Sequence, residues 1–418
     1  MTRPIAIIGA GLSGLACALH LHRHEVPVRL FESDEVGGRI RTFERDGFLL
    51  DRGFQVLQTS YPEARRMLDF DALDLRAFEP GALVWTGDEL ERISDPLRRP
   101  GRLIEMLRSP TSSFADKLRV AKLRWSVSRG PARRLLERPE IRTEDRLREL
   151  GFDDDFIERF FRPFFAGVFL EHDLDTSSRW FELLFRLFAQ GDATLPARGM
   201  QRIPEQLAAQ LPAETLFLGT PVRDVAERVV TLRDGEEMIV DAAVVATDEP
   251  TATGLLGREH APSRTGRRVH CLYFAAPRLT SAPWTEPILT LGRKSGVINN
   301  LCVPSRVSPH YAPEGQDLIS VTLLPSALRQ GQEPEEACRG ELRNWFGDPA
   351  DAWRLIEHFD IEDALPPQPP GDFLEHHELQ VADGIFRCGD YLETSSIHGA
   401  LVSGRKTAKA VLRYLAAL

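Results

Sequence analysis

Residues 4–14 read Pro4-Ile5-Ala6-Ile7-Ile8-Gly9-Ala10-Gly11-Leu12-Ser13-Gly14. A short apolar run ends in G-x-G-x-x-G, and Leu15-Ala16-Cys17-Ala18-Leu19-His20-Leu21 continues with helical character. A second strand, Val28-Arg29-Leu30-Phe31, stops on Glu32, 18 residues after Gly14. This order predicts a strand–helix–strand unit that grips a dinucleotide. Gly9 permits the tight turn, Gly11 lets the backbone approach a pyrophosphate, and Gly14 lets the helix pack on the strand. Ala10, Leu12 and Ser13 complete the loop. The helix start offers free N–H groups and partial positive charge to the phosphates. Glu32 stands where a carboxylate accepts hydrogen bonds from a ribose diol, and an acid there disfavours a 2′-phosphate.

The segments that follow favour FAD over NAD. Ser33-Asp34-Glu35-Val36 leads into Gly37-Gly38-Arg39, where a guanidinium would reach the pyrophosphate with a two-pronged grip. Near the other end, Ile385-Phe386-Arg387-Cys388-Gly389-Asp390 reads as a strand ending in Gly-Asp. Ser396-Ile397-His398-Gly399-Ala400 then opens a helix that runs to the C-terminus. The small residues Gly399 and Ala400 leave room for a planar ring at the helix start. Its dipole would stabilise negative charge on a reduced flavin, and Asp390 would hydrogen-bond the ribityl chain.

On these residues the chain resembles the flavin amine oxidase superfamily, in its phytoene desaturase-like and protoporphyrinogen oxidase-like branch. The resemblance rests on Gly9 to Gly14, Glu32, Gly37-Gly38-Arg39, Leu50-Asp51-Arg52-Gly53-Phe54-Gln55, Phe161-Arg162-Pro163-Phe164-Phe165-Ala166-Gly167-Val168-Phe169, and Gly389-Asp390-Tyr391 followed by Ser396 to Arg405. It implies that Gly53, Phe54 and Gln55 also lie along FAD, and that the backbone of Val222 meets the adenine. It leaves the substrate-contacting residues open.

A chain of 418 residues exceeds one compact core. The expected fold is α/β: a discontinuous Rossmann-like FAD-binding domain from 1–75, 194–260 and 371–418, with an α+β substrate domain from 76–193 and 261–370. Residues 76–193 read as mostly helical. A helix is expected from Ala197 through Leu211, then strands near 215–218, 222–225, 229–232, 238–240 and 242–247. Pro366-Pro367-Gln368-Pro369-Pro370 reads as a stiff connector.

A net charge of −10 argues against nucleic acid as a partner. Five cysteines without C-x-x-C indicate neither a disulfide framework nor a metal site and suit a reducing compartment. The chain opens directly into its first strand, which leaves no room for a leader, so a cytoplasmic location is expected. Charge is uneven: residues 98–134 hold eleven lysines and arginines against Glu105 and Asp116. Leu118, Leu123 and Trp125 alternate there with Lys117, Arg119, Lys122 and Arg124. Such a basic amphipathic helix either contacts the inner face of a membrane or is a solvated face of the substrate domain. Oligomeric state is not encoded in any pattern here.

A second dinucleotide fingerprint is missing, so electrons would enter flavin N5 from an organic substrate and leave to oxygen, a quinone or another acceptor. Phe156, Phe160, Phe161, Phe164, Phe165 and Phe169, with Phe181, Phe185 and Phe188, form either core or an apolar tunnel. With 23 Phe against 5 Tyr, no obvious Tyr pair cages an amine. The expected reaction is dehydrogenation of an apolar, polyene- or terpenoid-like small molecule. A flavin amine oxidase acting on a small amine and a non-catalytic flavin-binding scaffold are the alternatives. No catalytic residue is assigned. His398 is the candidate for tuning the flavin or moving a proton, with a passive contact as the other reading. Lys294 reads as a turn residue, and Glu375-His376-His377-Glu378 as solvated surface. Cys388 does not match the spacing of a flavin attachment, so FAD is expected to bind non-covalently.

Overall fold

The computed structural model describes residues 3–94, 114–257, 265–293, 295–371 and 377–418. Lys294, Glu375, His376 and residues 98–113 of the basic stretch lie outside them.

The first strand, Ile5–Ile8, is buried on both faces, as a parallel-sheet strand between covering helices must be. It pairs in parallel with Val28–Phe31 on one side and Ala242–Val245 on the other. Leu216–Phe217 and Ile385–Arg387 extend the sheet in parallel, and Gln380–Ala382 closes one edge antiparallel. The helix Leu12–His22 packs on the C-terminal helix Ile397–Ala417. Their approach is close: a Cβ on Gly404 would stand 2.2 Å from the Ser13 carbonyl oxygen. The ends of the chain therefore meet at this sheet.

A second, seven-stranded sheet runs in the order Arg354–Leu365, Arg267–Pro277, Gln316–Leu323, Ile298–Cys302, Leu289–Leu291, Gly81–Trp85, Leu90–Ser94. Helices and this sheet together make the α+β part expected from the sequence.

One expectation needs an addition and another a correction. The mostly helical stretch 76–193 also contains a hairpin, Gly81–Trp85 with Leu90–Ser94, at the edge of the second sheet. Ala82, Leu83 and Val84 are all buried, and a run apolar on both faces carries no helical period. The helix expected from Ala197 is shorter, Arg202–Ala208. Residues 199–201 instead form a turn whose Met200 and Gln201 N–H groups bond the side chains of Asp51 and Thr42.

The Phe-rich segment is one helical run broken by a π turn at Ile157–Phe161. The proline-rich connector is tied down: the Ser177 N–H donates to the Gln368 carbonyl, and the Ser395 N–H to its side-chain oxygen, each at 2.9 Å.

Candidate functional site: a dinucleotide cradle

The glycine turn has the expected geometry. Gly9 has φ +104°, a region that L side chains rarely adopt. A Cβ on Gly14 would lie 1.9 Å from the Gly9 carbonyl oxygen, so only glycine lets this helix start so near the strand. Gly11 differs, since a Cβ there meets nothing within 4 Å. It faces open space at the N-terminus of Leu12–His22, where a phosphate would receive helix N–H groups.

A second loop lies against this turn. The Gly37 N–H donates to the Ala10 carbonyl at 2.9 Å, and Gly38, with φ +60°, stands beside Gly11. Glu32 is half-exposed. Its Oε2 accepts from the Ala10 N–H at 2.8 Å, and its Oε1 from the Ser33 hydroxyl at 3.0 Å and the Asp34 N–H at 3.1 Å. The carboxylate is thus oriented by the loop that it follows. Val222 is half-buried on the strand Val222–Ala226.

Arg39 and Asp390 were expected to meet the cofactor separately; the structure joins them. Arg39 Nη2 lies 2.5 Å from Asp390 Oδ1, and Nη1 donates to the Ala364 carbonyl at 3.0 Å. Asp390 is buried, and a buried carboxylate needs a counter-charge. Burial lowers the Arg39 pKa, but Asp390 outweighs this and holds it above its ordinary value. The Gly389 N–H donates to Ser403 Oγ, which fixes this corner to the C-terminal helix. Gln55 Nε2 donates to the carbonyls of Arg39 and Arg52, leaving Oε1 without a partner. Phe54 is half-buried, edge-on to Phe78 at 5.9 Å. Gly53 is buried with φ +87°.

Ser396 caps the C-terminal helix, its Oγ accepting from the Gly399 N–H at 3.1 Å. Ile397, His398 and Ala400 are half-exposed. Gly399 is buried for a closer reason than ring clearance, since its Cβ would strike the Thr394 carbonyl oxygen at 1.8 Å. His398 stacks on Tyr61 at 5.5 Å, and its Nδ1 accepts from the Glu63 N–H at 3.4 Å. Burial pushes its pKa down to about 4; Glu63 opposes this and Arg405 adds to it. The imidazole is therefore neutral at physiological pH. Tyr61 and Glu63, which no motif announced, become neighbours of the site through the Glu63–Arg405 pair at 2.9 Å.

Cys388 is buried, and burial pushes its thiol up to about 12, which leaves it protonated. Among the described residues, no group of three or more His, Cys, Asp or Glu could hold a metal ion.

The fit to a flavin dinucleotide follows from the open space before Gly11 and the half-exposed line of Gly9, Gly11, Glu32, Arg39, Phe54, Gln55, Ile397, His398 and Ala400. A strand–glycine turn–helix with this lining defines a flavin-dependent oxidoreductase fold. The chain belongs to the flavin containing amine oxidoreductase family, whose model matches residues 12–412. Its cofactor is FAD.

Protoporphyrinogen oxidase from Nicotiana tabacum is 26% identical over 172 residues, 41% of this chain but 31% of that enzyme. Coproporphyrinogen III oxidase from Bacillus subtilis is 22% identical, covering 75% of this chain and 76% of its own. Among solved structures, a putative protoporphyrinogen oxidase from Exiguobacterium sp. 255-15 superposes with a TM-score of 0.72 at 17% identity, covering 100% of this chain and 99% of that one. At such identity the superposition shows the fold alone.

Proposed function

We propose that this chain holds FAD non-covalently and dehydrogenates an apolar organic small molecule. When bound, FAD supplies the hydride-accepting ring. The chain supplies binding, orientation and exclusion of water. Gly11 and the helix start hold the phosphates, Glu32 the ribose, Val222 the adenine, and the Arg39–Asp390 pair the ribityl region. The start of Ile397–Ala417 faces the flavin, and neutral His398, stacked on Tyr61, acts as a passive wall. Protonated Cys388 supports non-covalent binding. The division into a cofactor domain of 1–75, 194–260 and 371–418 and a substrate domain of 76–193 and 261–370 is supported by the sheets. The six-stranded and the seven-stranded sheet each draw their strands from one of these sets, and the small sheet of Leu57–Gln58, Ala193–Pro196 and Leu75–Ala77 lies across the boundary.

The observation that carries the substrate class is the split of the Phe cluster. Phe156, Phe161, Phe165, Phe169 and Phe181 are buried, whereas Phe160, Phe164, Phe185 and Phe188 stay partly open. Phe160 and Phe164 stack at 5.8 Å, and Phe164 meets Phe188 edge-on at 5.3 Å. Phe160 and Phe164 pack against the cluster of Ala82, Val84 and Leu291 in the second sheet. Phe160 lies in the π turn and Phe164 in the helix Arg162–Phe169 that follows it, and π turns are often found at functional sites. An aromatic wall of this kind accepts an apolar ligand.

Relatives named as porphyrinogen oxidases, and a 4,4'-diapophytoene desaturase from Staphylococcus haemolyticus matched over 50 residues, support the same class. The test is anaerobic mixing of the holoenzyme with a polyene, a porphyrinogen and a small amine. Flavin bleaching by a polyene or porphyrinogen is expected, and bleaching by the amine alone would favour an amine oxidase.

The basic helix suits contact with an anionic membrane surface. Phe114–Ser128 buries Leu123 and Val127 but leaves Leu118 56% and Trp125 61% exposed. Lys122 and Arg129 are exposed with them, and the Arg129 guanidinium sits 4.4 Å over the Trp125 ring. Large apolar side chains flanked by cations match an interfacial helix. Among the described residues no helix is long and apolar enough to cross a membrane. Replacing Leu118 and Trp125 with Ser should weaken sedimentation with anionic vesicles at low salt. Equal sedimentation of variant and wild type would return this face to ordinary solvent exposure.

A further inference from the structure

Asp51 ends the strand Phe48–Asp51, two residues before Gly53. Its carboxylate is buried and receives hydrogen bonds from three separate parts of the chain. Oδ1 accepts from Thr42 Oγ1 at 2.6 Å and from the Met200 N–H at 2.9 Å. Oδ2 accepts from the Tyr311 hydroxyl at 2.7 Å. The main-chain oxygen of Asp51 accepts from the Tyr273 hydroxyl at 2.9 Å.

Three residues on, the Phe54 backbone faces the Cys271 thiol, two residues before Tyr273 on the same face of the strand Arg267–Pro277. Between these points Gly53 is wedged against Ile361, whose Cδ1 would lie 3.0 Å from a Cβ. The stretch from Asp51 to Phe54 is thus stitched to the substrate-side sheet just before it reaches the half-exposed Phe54 and Gln55.

We propose that Asp51 is a positioning residue that sets where Phe54 and Gln55 stand against FAD, and that the gain or loss of its proton is transmitted to the bound flavin. This rests on the placement of FAD along Gly53 to Gln55.

The groups that face the carboxylate are Thr42, the Met200 N–H, Tyr311, Tyr273, Cys271 and Cys302. None of them is cationic. Burial pushes the carboxyl up to about 6, against the pull of its three hydrogen bonds. As pH rises through that value the proton leaves. The ionised form uses all three donors. The protonated form must donate its own O–H, and of its three contacts the Tyr311 and Thr42 hydroxyls can change from donor to acceptor whereas the Met200 N–H cannot. Tyr311 lies in the short turn Pro309–Tyr311, so a change in its bond displaces the carboxylate at the end of the strand that leads into Gly53, Phe54 and Gln55.

The test is the visible absorption and circular dichroism of the FAD-bound full chain between pH 5 and 8. Wild type should show a one-proton change in the flavin bands centred near the Asp51 value. Asp51→Asn keeps the acceptor for Thr42 and Met200 but cannot ionise, so it should hold FAD with pH-flat bands. Tyr311→Phe removes a donor to the carboxylate and should move the midpoint up by roughly half a unit or more. A pH-flat wild type, or an unchanged transition in Asp51→Asn, overturns the proposal. If Asp51→Asn does not fold, an unmoved midpoint in Tyr311→Phe overturns it alone. A colourless wild type that takes up no FAD would instead strike down the cofactor placement itself.

Discussion

The glycine turn at 9–14 and the Phe-rich run at 156–188 both pack against sheets, yet they constrain sequence in opposite ways. In the first, each residue has one geometric duty set by its immediate neighbours. Gly14 cannot carry a Cβ, and Gly11 can carry one only at the expense of the space in front of it. In the second, nine phenylalanines share one chemistry, and only the tertiary packing decides which face inward. Phe161 and Phe164 are three residues apart, but one is fully buried and the other half-open. Function that depends on backbone approach is written locally. Function that depends on which aromatic faces a cavity is written in the packing.

Substitutions can sharpen this contrast. The largest effect is expected for Gly11→Val. Its extended backbone, φ −72° and ψ 177°, is one that valine adopts, so the protein should fold. The side chain would fill the phosphate position, and FAD should be lost. A folded Gly11→Val protein with full FAD occupancy would place the cofactor elsewhere. In the other region, Phe161→Ala removes a fully buried ring and should cost about 3–5 kcal/mol of stability, read by denaturant unfolding. A loss below about 1 kcal/mol would mean that this ring is not core.

Smaller effects distinguish roles within each region. Glu32→Ala removes the oriented carboxylate and should weaken FAD by about 1.5–3 kcal/mol in a fluorescence titration. Unchanged affinity would mean that Glu32 holds only its own loop, through Ala10 and Asp34. Phe164→Ala should leave FAD occupancy intact and raise KM for an apolar substrate more than it lowers kcat. If kcat alone falls, the ring is not part of the ligand wall.

Most of the first sheet was legible because its signals are local: an apolar run, glycines at fixed offsets and an acid at a strand end. The C-terminal segment was legible for the same reason. The hairpin at 81–94 was not, because its strands complete the edge of a sheet whose other members lie some two hundred residues on. The Arg39–Asp390 pair was hidden by its sequence separation of 351 residues. Each residue was readable as polar and near the cofactor, but nothing local showed that they neutralise one another. Tyr61 and Glu63 carry no motif, and they reach the site only because a short helix brings them under His398. Asp51 stood in a recognisable string, yet its four hydrogen bonds come from Thr42, Met200, Tyr273 and Tyr311.

Both ends of the chain form one cradle, which we propose holds FAD without a covalent bond. The most direct measurement is the visible spectrum of the purified full chain, followed by heat denaturation and identification of what is released. The folded protein should absorb as a flavoprotein, and heating should release intact FAD into the supernatant. Flavin that stays on the precipitated polypeptide would contradict the non-covalent claim. A colourless protein that cannot be reconstituted with FAD would contradict the cradle itself.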